Sequence, residues 1–517
     1  MDIISITTLA LYLLILFSIW YHWRKLYTTE IFSINRKVSW LIGAVSLFMF
    51  LNSPRDIQII SEIVKNDGIS GIWLLSSQWL VAAMAPIVFA PMWKTLGLKT
   101  DNEFILTRFS GRGSILLFYF RCFYLGTVIT PILVTFQLLS FSGVLFIIWE
   151  LPFSSALTIA CTCLFLSSIK NSIGITLRTD ILHGILYAVA LCIIVAYLYR
   201  TAGSIQNAVQ VIEQQKEGIS RIFPFSEDRK AWAALAVLFG IQWWSTGLFD
   251  GSGPEMQKYN SARTPLEAVY LAMGGLLLTV AFSILNTIIT VLSLSIHSEG
   301  FFAAIKSVLP ISLKMLITLG FWSAFISTAE ATLNWGSSYI IENVWYRTKT
   351  STSFKLKAFH SFIVILLLTG LSLVLSIYFN TLRSLLELLL SFSAGVAPVF
   401  FLRWFWMRIN AWTQLSAMIA AAVYTVLYQT TEPLFSSFLD YDILDPYYWK
   451  LIILTIMTTA TWLSVMYLTP PDDEEHVKKF RILMPDNRTA IKRMLLALCT
   501  GFLILALFTL SMMAVLN

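Results

Sequence analysis

The chain has 517 residues, of which 57% are hydrophobic and only 13% are charged, and its mean hydropathy is +0.74. A soluble globular domain carries roughly 25% charged residues, so the composition excludes an ordinary soluble protein. The net charge of +7 does not indicate a nucleic-acid partner, because most Lys and Arg residues lie in short segments between apolar blocks, which is typical of the cytoplasmic loops of membrane proteins.

The apolar residues fall in about fourteen blocks along the chain. A helix of about 20 apolar residues crosses a hydrocarbon layer of about 30 Å, and a helix satisfies its own backbone groups where lipid cannot. The blocks are 3–20, 39–66, 71–93, 114–140, 153–169, 174–199, 232–249, 266–293, 309–341, 358–378, 384–408, 411–428, 449–468 and 493–514. We therefore predict an all-α polytopic membrane protein that spans the lipid bilayer with about 14 transmembrane helices.

The first block, 3–20, is predicted to be a retained helix and not a signal peptide. No basic residue precedes it and no small-residue cleavage site follows it, although a signal peptide requires both. Arg24 and Lys25 follow it instead, and basic residues favour the cytoplasmic side. The predicted location is the inner (plasma) membrane, with the N-terminus and, after fourteen crossings, the C-terminus outside.

Block 39–66 is predicted to be an interrupted helix. It is apolar as far as Leu51 and then reads Asn52-Ser53-Pro54-Arg55-Asp56. Proline removes a helix hydrogen bond, and charges at such a depth usually face a cavity or a partner. Discontinuous helices near the middle of the membrane expose carbonyl groups to ions in many transporters. The alternative is that the span ends at residue 51.

Block 232–249 is the second predicted interruption. Gly240 precedes Gln242, Trp243 and a further tryptophan within the apolar block. Paired tryptophans are found at the membrane interface, but the neighbouring polar residues favour a cavity lining.

Block 309–341 contains the most informative polar residues. Ala324, Ser327 and Thr328 have the spacing i, i+3 and i+4, so they share one helix face. Two hydroxyl oxygens and nearby backbone carbonyls are suitable ligands for a hard cation. The alternative is that small residues here allow close packing of helices.

Two charged residues inside other blocks leave alternatives open. Asp180 either pairs locally with Arg178 or lies on an ion pathway. Arg121 has no acidic residue near it in sequence, so it requires a partner from another helix or an anionic ligand. The chain contains no phosphate-binding loop, paired-histidine metal motif or nucleophile elbow, and we therefore do not expect an enzyme.

Several segments together resemble the sodium:solute symporter family, which contains bacterial sodium–galactose and sodium–proline transporters. The resemblance covers roughly residues 35 to 425. The segments that carry it are Lys99-Thr100-Asp101-Asn102-Glu103-Phe104 continuing to Arg108-Phe109-Ser110-Gly111, Arg178-Thr179-Asp180, Gln242-Trp243-Trp244, Gln257-Lys258-Tyr259, Ser327-Thr328 through Leu333-Asn334-Trp335-Gly336, and Leu402-Arg403-Trp404-Phe405-Trp406-Met407-Arg408-Ile409-Asn410-Ala411-Trp412.

The resemblance implies a fold of two inverted five-helix repeats, with sodium as the coupling ion and a small solute as the partner. The predicted organisation is a leading helix and loop in 1–38, a ten-helix transport core in 39–408 and three trailing helices in 409–517. No nucleic acid and no obligate protein partner are expected.

The family also implies roles for particular residues. The implied sodium ligands are carbonyls near Met49 and Asn52 and at Ala324, with the hydroxyls of Ser327 and Thr328, and Asp180 lies on the inward path of the ion. Trp243 resembles an aromatic gate on the cytoplasmic side of the substrate. The implied cavity draws on Ser53, Gln78, Gln242, Ser391 and Ser393, and Arg55 and Arg121 are further candidates for contact with the substrate.

One departure from the family leaves the function open. Pro54-Arg55 stands where this branch has small and polar residues, which could favour an anionic substrate or weaken transport. The leading prediction is a sodium-coupled symporter for a sugar, carboxylate or amino-acid-like solute. The alternatives are a transporter-like sensor or accessory subunit, and a proton-coupled transporter that uses Asp180 or Glu330.

Overall fold

The computed structural model describes residues 38–168, 173–225, 227–246, 250–348, 353–379, 381–435 and 439–516. The predicted leading helix 3–20, with Arg24 and Lys25, lies outside these residues. Within them, all regular secondary structure is helical.

The first half of the described chain forms nine helices, several of which are divided or distorted. Their bounds are α1 Trp40–Leu51, α2 Pro54–Asp67, α3 Ile69–Leu96, α4 Glu103–Arg108, α5 Gly111–Trp149, α6 Phe153–Ser168, α7 Ile173–Ala202, α8 Ile205–Gln215 and α9 Arg229–Val237. α9 continues as a π-helical turn, Leu238–Gln242, and a last turn, Trp243–Ser245. We call residues 229–245 the α9 segment. π-Helical turns are rare and often mark functional sites.

The second half forms the remaining helices of the described chain. Their bounds are α10 Pro254–Ser261, α11 Pro265–Ile296, α12 Phe301–Val308, α13 Ile311–Trp345, α14 Phe354–Leu375, α15 Leu382–Ser393, α16 Ala397–Leu402, α17 Ala411–Phe435, α18 Pro446–Leu468, α19 Glu474–Leu483 and α20 Asn487–Leu516.

Nine helices within the described ranges are long and apolar enough to cross a membrane, and α1 and α6 are shorter apolar helices. The long helices are α3, α5, α7, α11, α13, α14, α17, α18 and α20. The chain is therefore a multi-pass helical membrane protein. The predicted count of about 14 spans, which includes block 3–20, stays a prediction.

The centre of the structure is α13, which packs between α5 and α7. Small residues allow these helices to approach closely. At Gly320 an added Cβ would lie 2.9 Å from the carbonyl oxygen of Leu186 on α7, and at Gly336 it would collide with Thr130 on α5. The consequence is that the polar residues of α13 between these two glycines are held in the interior.

Two interruptions match the sequence-based predictions and a third was not predicted. α1 and α2 are separated by Asn52 and Ser53, both extended, and the segment that begins as α9 ends at Ser245. Block 384–408, expected as one helix, is divided into α15 and α16. Gly395 at that division has φ +75°, a conformation that glycine adopts without steric cost.

Candidate functional site

The break between α1 and α2 frees a backbone carbonyl. Pro54 lacks an N–H and disfavours the helical conformation in the residue before it. The N–H of Ser53 donates to the Asp56 side chain over 2.6 Å, as in a helix-capping box. In an uninterrupted helix this N–H would bond to the carbonyl of Met49 four residues earlier. The carbonyl oxygen of Met49 is therefore available to another partner.

α13 places hydroxyl groups opposite this break. The Oγ1 atom of Thr328 lies 2.9 Å from the carbonyl oxygen of Met49, 3.1 Å from that of Ala324 and 3.5 Å from that of Asn52. Ser327, the adjacent residue, is fully buried. We call these groups the oxygen cluster: the carbonyl oxygens of Met49, Asn52 and Ala324 and the hydroxyls of Ser327 and Thr328. Thr328 thus contacts three of the other residues predicted as sodium ligands, and Ser327, the fifth, adjoins it in the chain.

The oxygen cluster contains more hydrogen-bond acceptors than donors. A hydroxyl group has one hydrogen to donate, whereas Thr328 faces three carbonyl oxygens. Two of these oxygens, those of Met49 and Asn52, lie where α1 ends and a helix leaves its last carbonyls without partners. The carbonyl oxygen of Ala324 also accepts the intrahelical N–H of Thr328, so the oxygens of Met49 and Asn52 are the ones that a cation would satisfy.

Asp180 on α7 lies beside the oxygen cluster and is fully buried. Its carboxylate accepts hydrogen bonds from Ser327, over 2.6 Å, and from Ser46 on α1. The ammonium group of Lys258 on α10 lies 3.6 Å from the carboxylate and donates to Ser46 over 2.6 Å. His183 Nδ1 is 3.7 Å from the same carboxylate. Asp180 therefore has a cationic partner, Lys258, from a helix that is distant in sequence. This partner was not among the alternatives predicted from the sequence, which were a local pair with Arg178 and a place on an ion pathway.

This arrangement joins the oxygen cluster to a buried charge pair. Ser327 belongs to the oxygen cluster and donates a hydrogen bond to Asp180. A cation bound to the Ser327 hydroxyl would therefore be close to the Asp180 carboxylate. Lys258 is the counter-charge of that carboxylate when no other cation is near. Opposite charges in a low-dielectric interior interact strongly, and any ion that enters here changes the partners of both residues.

Gln78 and Gln242, two predicted cavity residues, lie where α3 meets the end of the α9 segment. Gln78 Nε2 donates to the hydroxyl of Thr246 over 3.2 Å. Gln242 Nε2 donates to the carbonyl of Leu74 over 2.6 Å, and its Oε1 accepts from Tyr447 over 3.2 Å. Each of the two side chains therefore forms a hydrogen bond between α3 and residues 242–246.

The third interruption meets the second. The N–H of Gly395 donates to the carbonyl of Ser245 over 3.0 Å, which connects the α15–α16 division to the end of the α9 segment. Trp243 lies two residues before Ser245 and is partly buried. The hydroxyls of Ser391 and Ser393 donate to carbonyls within α15, at 2.6 Å and 2.9 Å.

Ser53 and Arg55 follow the first interruption and differ in exposure. Ser53 is fully buried. The Arg55 side chain is 20% exposed, and its Nε lies 3.3 Å from the Asp56 carboxylate. Its guanidinium carbon is 5.2 Å from the ring centre of Phe136, a distance at which a cation and an aromatic face attract each other.

Arg121 has a protein partner and lies away from the oxygen cluster. Its Nη2 is 2.8 Å from the carboxylate of Asp101, its Nε donates to Asn102 over 3.0 Å, and Tyr339 donates to the same Asp101 over 2.7 Å. All of these side chains are buried. The chain therefore provides a partner for Arg121, which is one of the two alternatives given by the sequence, and its contact with the substrate stays a prediction.

Two further buried arginines, Arg403 and Arg108, form ion pairs with carboxylates. Arg403 Nη2 lies 2.6 Å from Asp250, and Arg108 Nη1 lies 3.3 Å from Asp472. Arg108 Nε also donates to the carbonyl of Arg403 over 2.6 Å, which links the two pairs. We call this group the arginine cluster: Arg108, Arg121 and Arg403 with Asp101, Asp250 and Asp472.

Sequence reasoning missed several residues near the candidate site. Lys258 was quoted only within a segment of family resemblance, because it lies between the apolar blocks 232–249 and 266–293. Ser46 lies three residues before Met49, which places both on one face of α1. Glu255 and Thr279, which line a cavity described below, gave no signal in the sequence beyond their polarity.

No protein-family model and no curated protein sequence matches the chain. Two solved structures resemble its fold. One is a Na+-coupled sialic acid symporter in a substrate-bound outward-open state, which revealed a novel Na+ site. It is 16% identical, has a TM-score of 0.67 and matches over 91% of this chain and 99% of that one.

The second is a nucleobase-cation-symport-1 family transporter in a closed conformation with bromovinylhydantoin bound. It is 12% identical, has a TM-score of 0.55 and matches over 86% of this chain and 96% of that one. The chain therefore has the fold of these membrane transporters. Both solved proteins are transporters, which agrees with the expectation that the chain is not an enzyme.

Proposed function

We propose that the chain is a sodium-coupled symporter that imports a small organic solute by alternating access. The observation that carries the proposal is the oxygen cluster, in which one hydroxyl of Thr328 lies within 3.5 Å of carbonyl oxygens from two helices. In transporters with discontinuous helices, unwound backbone carbonyls coordinate sodium. Here the excess of acceptors is produced by the Pro54 break, and the cluster is neutral apart from the neighbouring Asp180.

The fold supports the same proposal. The sialic acid symporter that shares it is itself Na+-coupled. We propose the arrangement of two inverted five-helix repeats for residues 39–408, with the trailing helices in 409–517 outside the transport unit. The proposed location is the inner (plasma) membrane with both termini outside, as the basic loops favour.

Sodium binding would stabilise the state in which the oxygen cluster is intact, and movement of one helix bundle against the other would then release ion and solute to the cytoplasm. Trp243, Gln242 and Gln78 are the proposed solute-facing residues, because they lie where the interruptions of the α9 segment and of α15–α16 meet. We propose that the ion moves from Ser327 to Asp180 on its path to the cytoplasm.

The test is the thermal stability of the purified protein in sodium and in potassium at equal ionic strength. A ligand that binds the native state raises the melting temperature by mass action. We expect a saturable, sodium-specific rise in the wild type. The double variant Ser327→Ala with Thr328→Val should raise the half-saturating sodium concentration at least about tenfold, which corresponds to about 1.4 kcal/mol.

Thr332→Val is the matched control. Thr332 lies one turn along the same helix, is buried, and donates only to the carbonyl of Thr328 over 2.8 Å. It should leave the half-saturating sodium concentration unchanged. A wild type that shows the same melting temperature in both salts would contradict sodium coupling, and a stability that follows pH instead would favour the proton-coupled alternative.

A further inference from the structure

A cavity of about 260 Å³ lies between α1, α3, α10 and α11. Its lining is mostly apolar and includes Leu51 on α1 and Trp79 on α3, with polar groups from Gln78, Glu255 and Thr279. A cavity of this size accommodates a ligand of several heavy atoms. Because Gln78 is also one of the proposed solute-facing residues, the cavity adjoins the proposed solute site.

Among the described residues that line the cavity, Glu255 is the only acidic or basic one. One oxygen of its carboxylate accepts a hydrogen bond from Tyr259 over 2.8 Å. Within the part of the chain that the structure describes, no lysine, arginine or histidine forms an ion pair with Glu255. A charge in such surroundings is costly unless a partner of opposite charge is present.

The other groups of the lining fit a cation with an apolar body. The Nε2 of Gln78 donates a hydrogen bond to the hydroxyl of Thr246. The amide oxygen of Gln78 is an acceptor that suits an N–H group of a ligand. Trp79 presents an aromatic ring, and aromatic faces attract ammonium groups. The leucine and alanine side chains around them fit the hydrocarbon part of such a ligand. None of the lining residues that the structure describes is basic, so none of these could pair with a carboxylate.

The cavity and the oxygen cluster are connected through one residue. Asn52 Nδ2 donates to the hydroxyl of Thr279 in the cavity wall over 2.9 Å, while the carbonyl oxygen of Asn52 belongs to the oxygen cluster. A ligand that fixes the position of Thr279 therefore also fixes a proposed sodium ligand. Two sites that share a residue in this way influence each other's affinity reciprocally.

We propose that this cavity binds a small organic monoamine, with Glu255 as the counter-ion of its ammonium group and without a carboxylate on the ligand. The inference rests on the proposed transport function, because it names the solute class of that transporter. It replaces the anionic substrate that Arg55 could suggest, because Arg55 pairs with Asp56 and does not line this cavity.

The test uses butylammonium chloride as the probe, with sodium butyrate and 1-butanol as anionic and neutral solutes of the same carbon skeleton. Melting temperatures of the full-length purified protein are measured at constant sodium concentration and ionic strength. Butylammonium should raise the melting temperature saturably, whereas butyrate and butanol should not. An equal effect of butyrate or butanol would overturn the ligand class.

Glu255→Gln should raise the half-saturating butylammonium concentration at least about tenfold, since a charge-assisted contact is lost. Glu267→Gln is the control, because Glu267 is an acid near the start of α11 that does not line the cavity. If Glu255→Gln does not fold, Ala82→Leu, which reduces the cavity volume, should weaken butylammonium binding in the same way. Unchanged binding in the folded variant would overturn the proposal.

The same measurements separate this inference from the proposed function. A butylammonium effect without any difference between sodium and potassium would uphold the amine site and contradict sodium coupling. A sodium-specific effect without a butylammonium effect would overturn the amine site and leave sodium coupling standing. When both hold, sodium should lower the half-saturating butylammonium concentration, and Asn52→Ala should abolish that dependence.

Discussion

The oxygen cluster and the arginine cluster are both buried, but they satisfy their polar groups in different ways. In the arginine cluster, each guanidinium group has a carboxylate within 2.6 to 3.3 Å, and the paired side chains are at most 3% exposed. In the oxygen cluster, one hydroxyl of Thr328 faces three carbonyl oxygens. Each charge of the arginine cluster has a partner of opposite charge within the chain, although the buried Arg121 Nη1 and Arg403 Nε donate to no group among the described residues. The oxygen cluster instead has more carbonyl oxygens than hydroxyl hydrogens.

The difference separates a structural role from a binding role. A buried ion pair holds elements in one arrangement, and removing one of its two partners is costly. The arginine cluster links α4 and α5 to the segments around Arg403 and Asp472, which are distant in sequence. An excess of acceptors instead provides a place for a cation that can enter and leave. The comparison predicts that variants in the two clusters respond differently to sodium.

The largest effect is expected for Asp250→Asn in the arginine cluster. Arg403 is fully buried, and the substitution leaves its guanidinium group without the carboxylate 2.6 Å away. The free energy of unfolding should fall by about 3–5 kcal/mol, equally in sodium and potassium. Equilibrium unfolding in mixed micelles measures this loss.

A double variant tests the reason for the loss. Arg403→Met combined with Asp250→Asn removes both charges, and replacing a buried pair with neutral groups costs much less than breaking it. The double variant should therefore recover part of the stability. A double variant less stable than Asp250→Asn alone would show that the hydrogen bonds of Arg403, for instance to Gln414 over 3.1 Å, outweigh the charge.

A smaller effect, dependent on sodium, is expected for Lys258→Gln beside the oxygen cluster. The substitution leaves Asp180 with hydrogen bonds from Ser327 and Ser46 but without the ammonium group 3.6 Å from its carboxylate. The free energy of unfolding should fall by about 1–3 kcal/mol in potassium. In sodium the loss should be smaller, because a bound sodium ion supplies the missing positive charge.

Lys94→Gln is the matched control for this prediction. Lys94 and Lys258 are both buried lysines, with 6% and 4% exposure, and the Lys94 ammonium donates to the carbonyl of Asn260 over 2.7 Å. Its loss should be the same in both salts. An equal loss in both salts for Lys258→Gln as well would contradict the proposed exchange between the lysine and sodium at Asp180.

The sequence allowed prediction of features that depend on neighbouring residues. The break of 39–66 was predictable because Pro54 removes a hydrogen bond wherever it stands in a helix. The shared face of Ala324, Ser327 and Thr328 followed from helix periodicity alone. These local rules were enough to find α13 and the interruption opposite it, although the association of the two as a sodium site came from the family resemblance.

Features that depend on distant contacts could not be predicted in this way. Asp180 and Lys258 are on different helices, and Arg108 and Asp472 are 364 residues apart in the chain. Nothing in the sequence around Arg121 indicated that Asp101 would be its partner. The family-like segments that begin at Lys99 and Leu402 supply residues of the arginine cluster, so part of the resemblance reflects the framework and not the site.

The smallest effect is expected for Lys230→Gln, and it tests whether burial is what separates the clusters from ordinary ion pairs. Lys230 and Asp445 join α9 to α18 with a separation of 2.8 Å, comparable to the buried pairs, but they are 42% and 52% exposed. Water screens the attraction, and the helix dipole disfavours a positive charge in the first turn of α9. The free energy of unfolding should therefore change by less than about 0.5 kcal/mol. A loss as large as that of Asp250→Asn would mean that connecting two helices, and not excluding water, makes an ion pair indispensable in this fold.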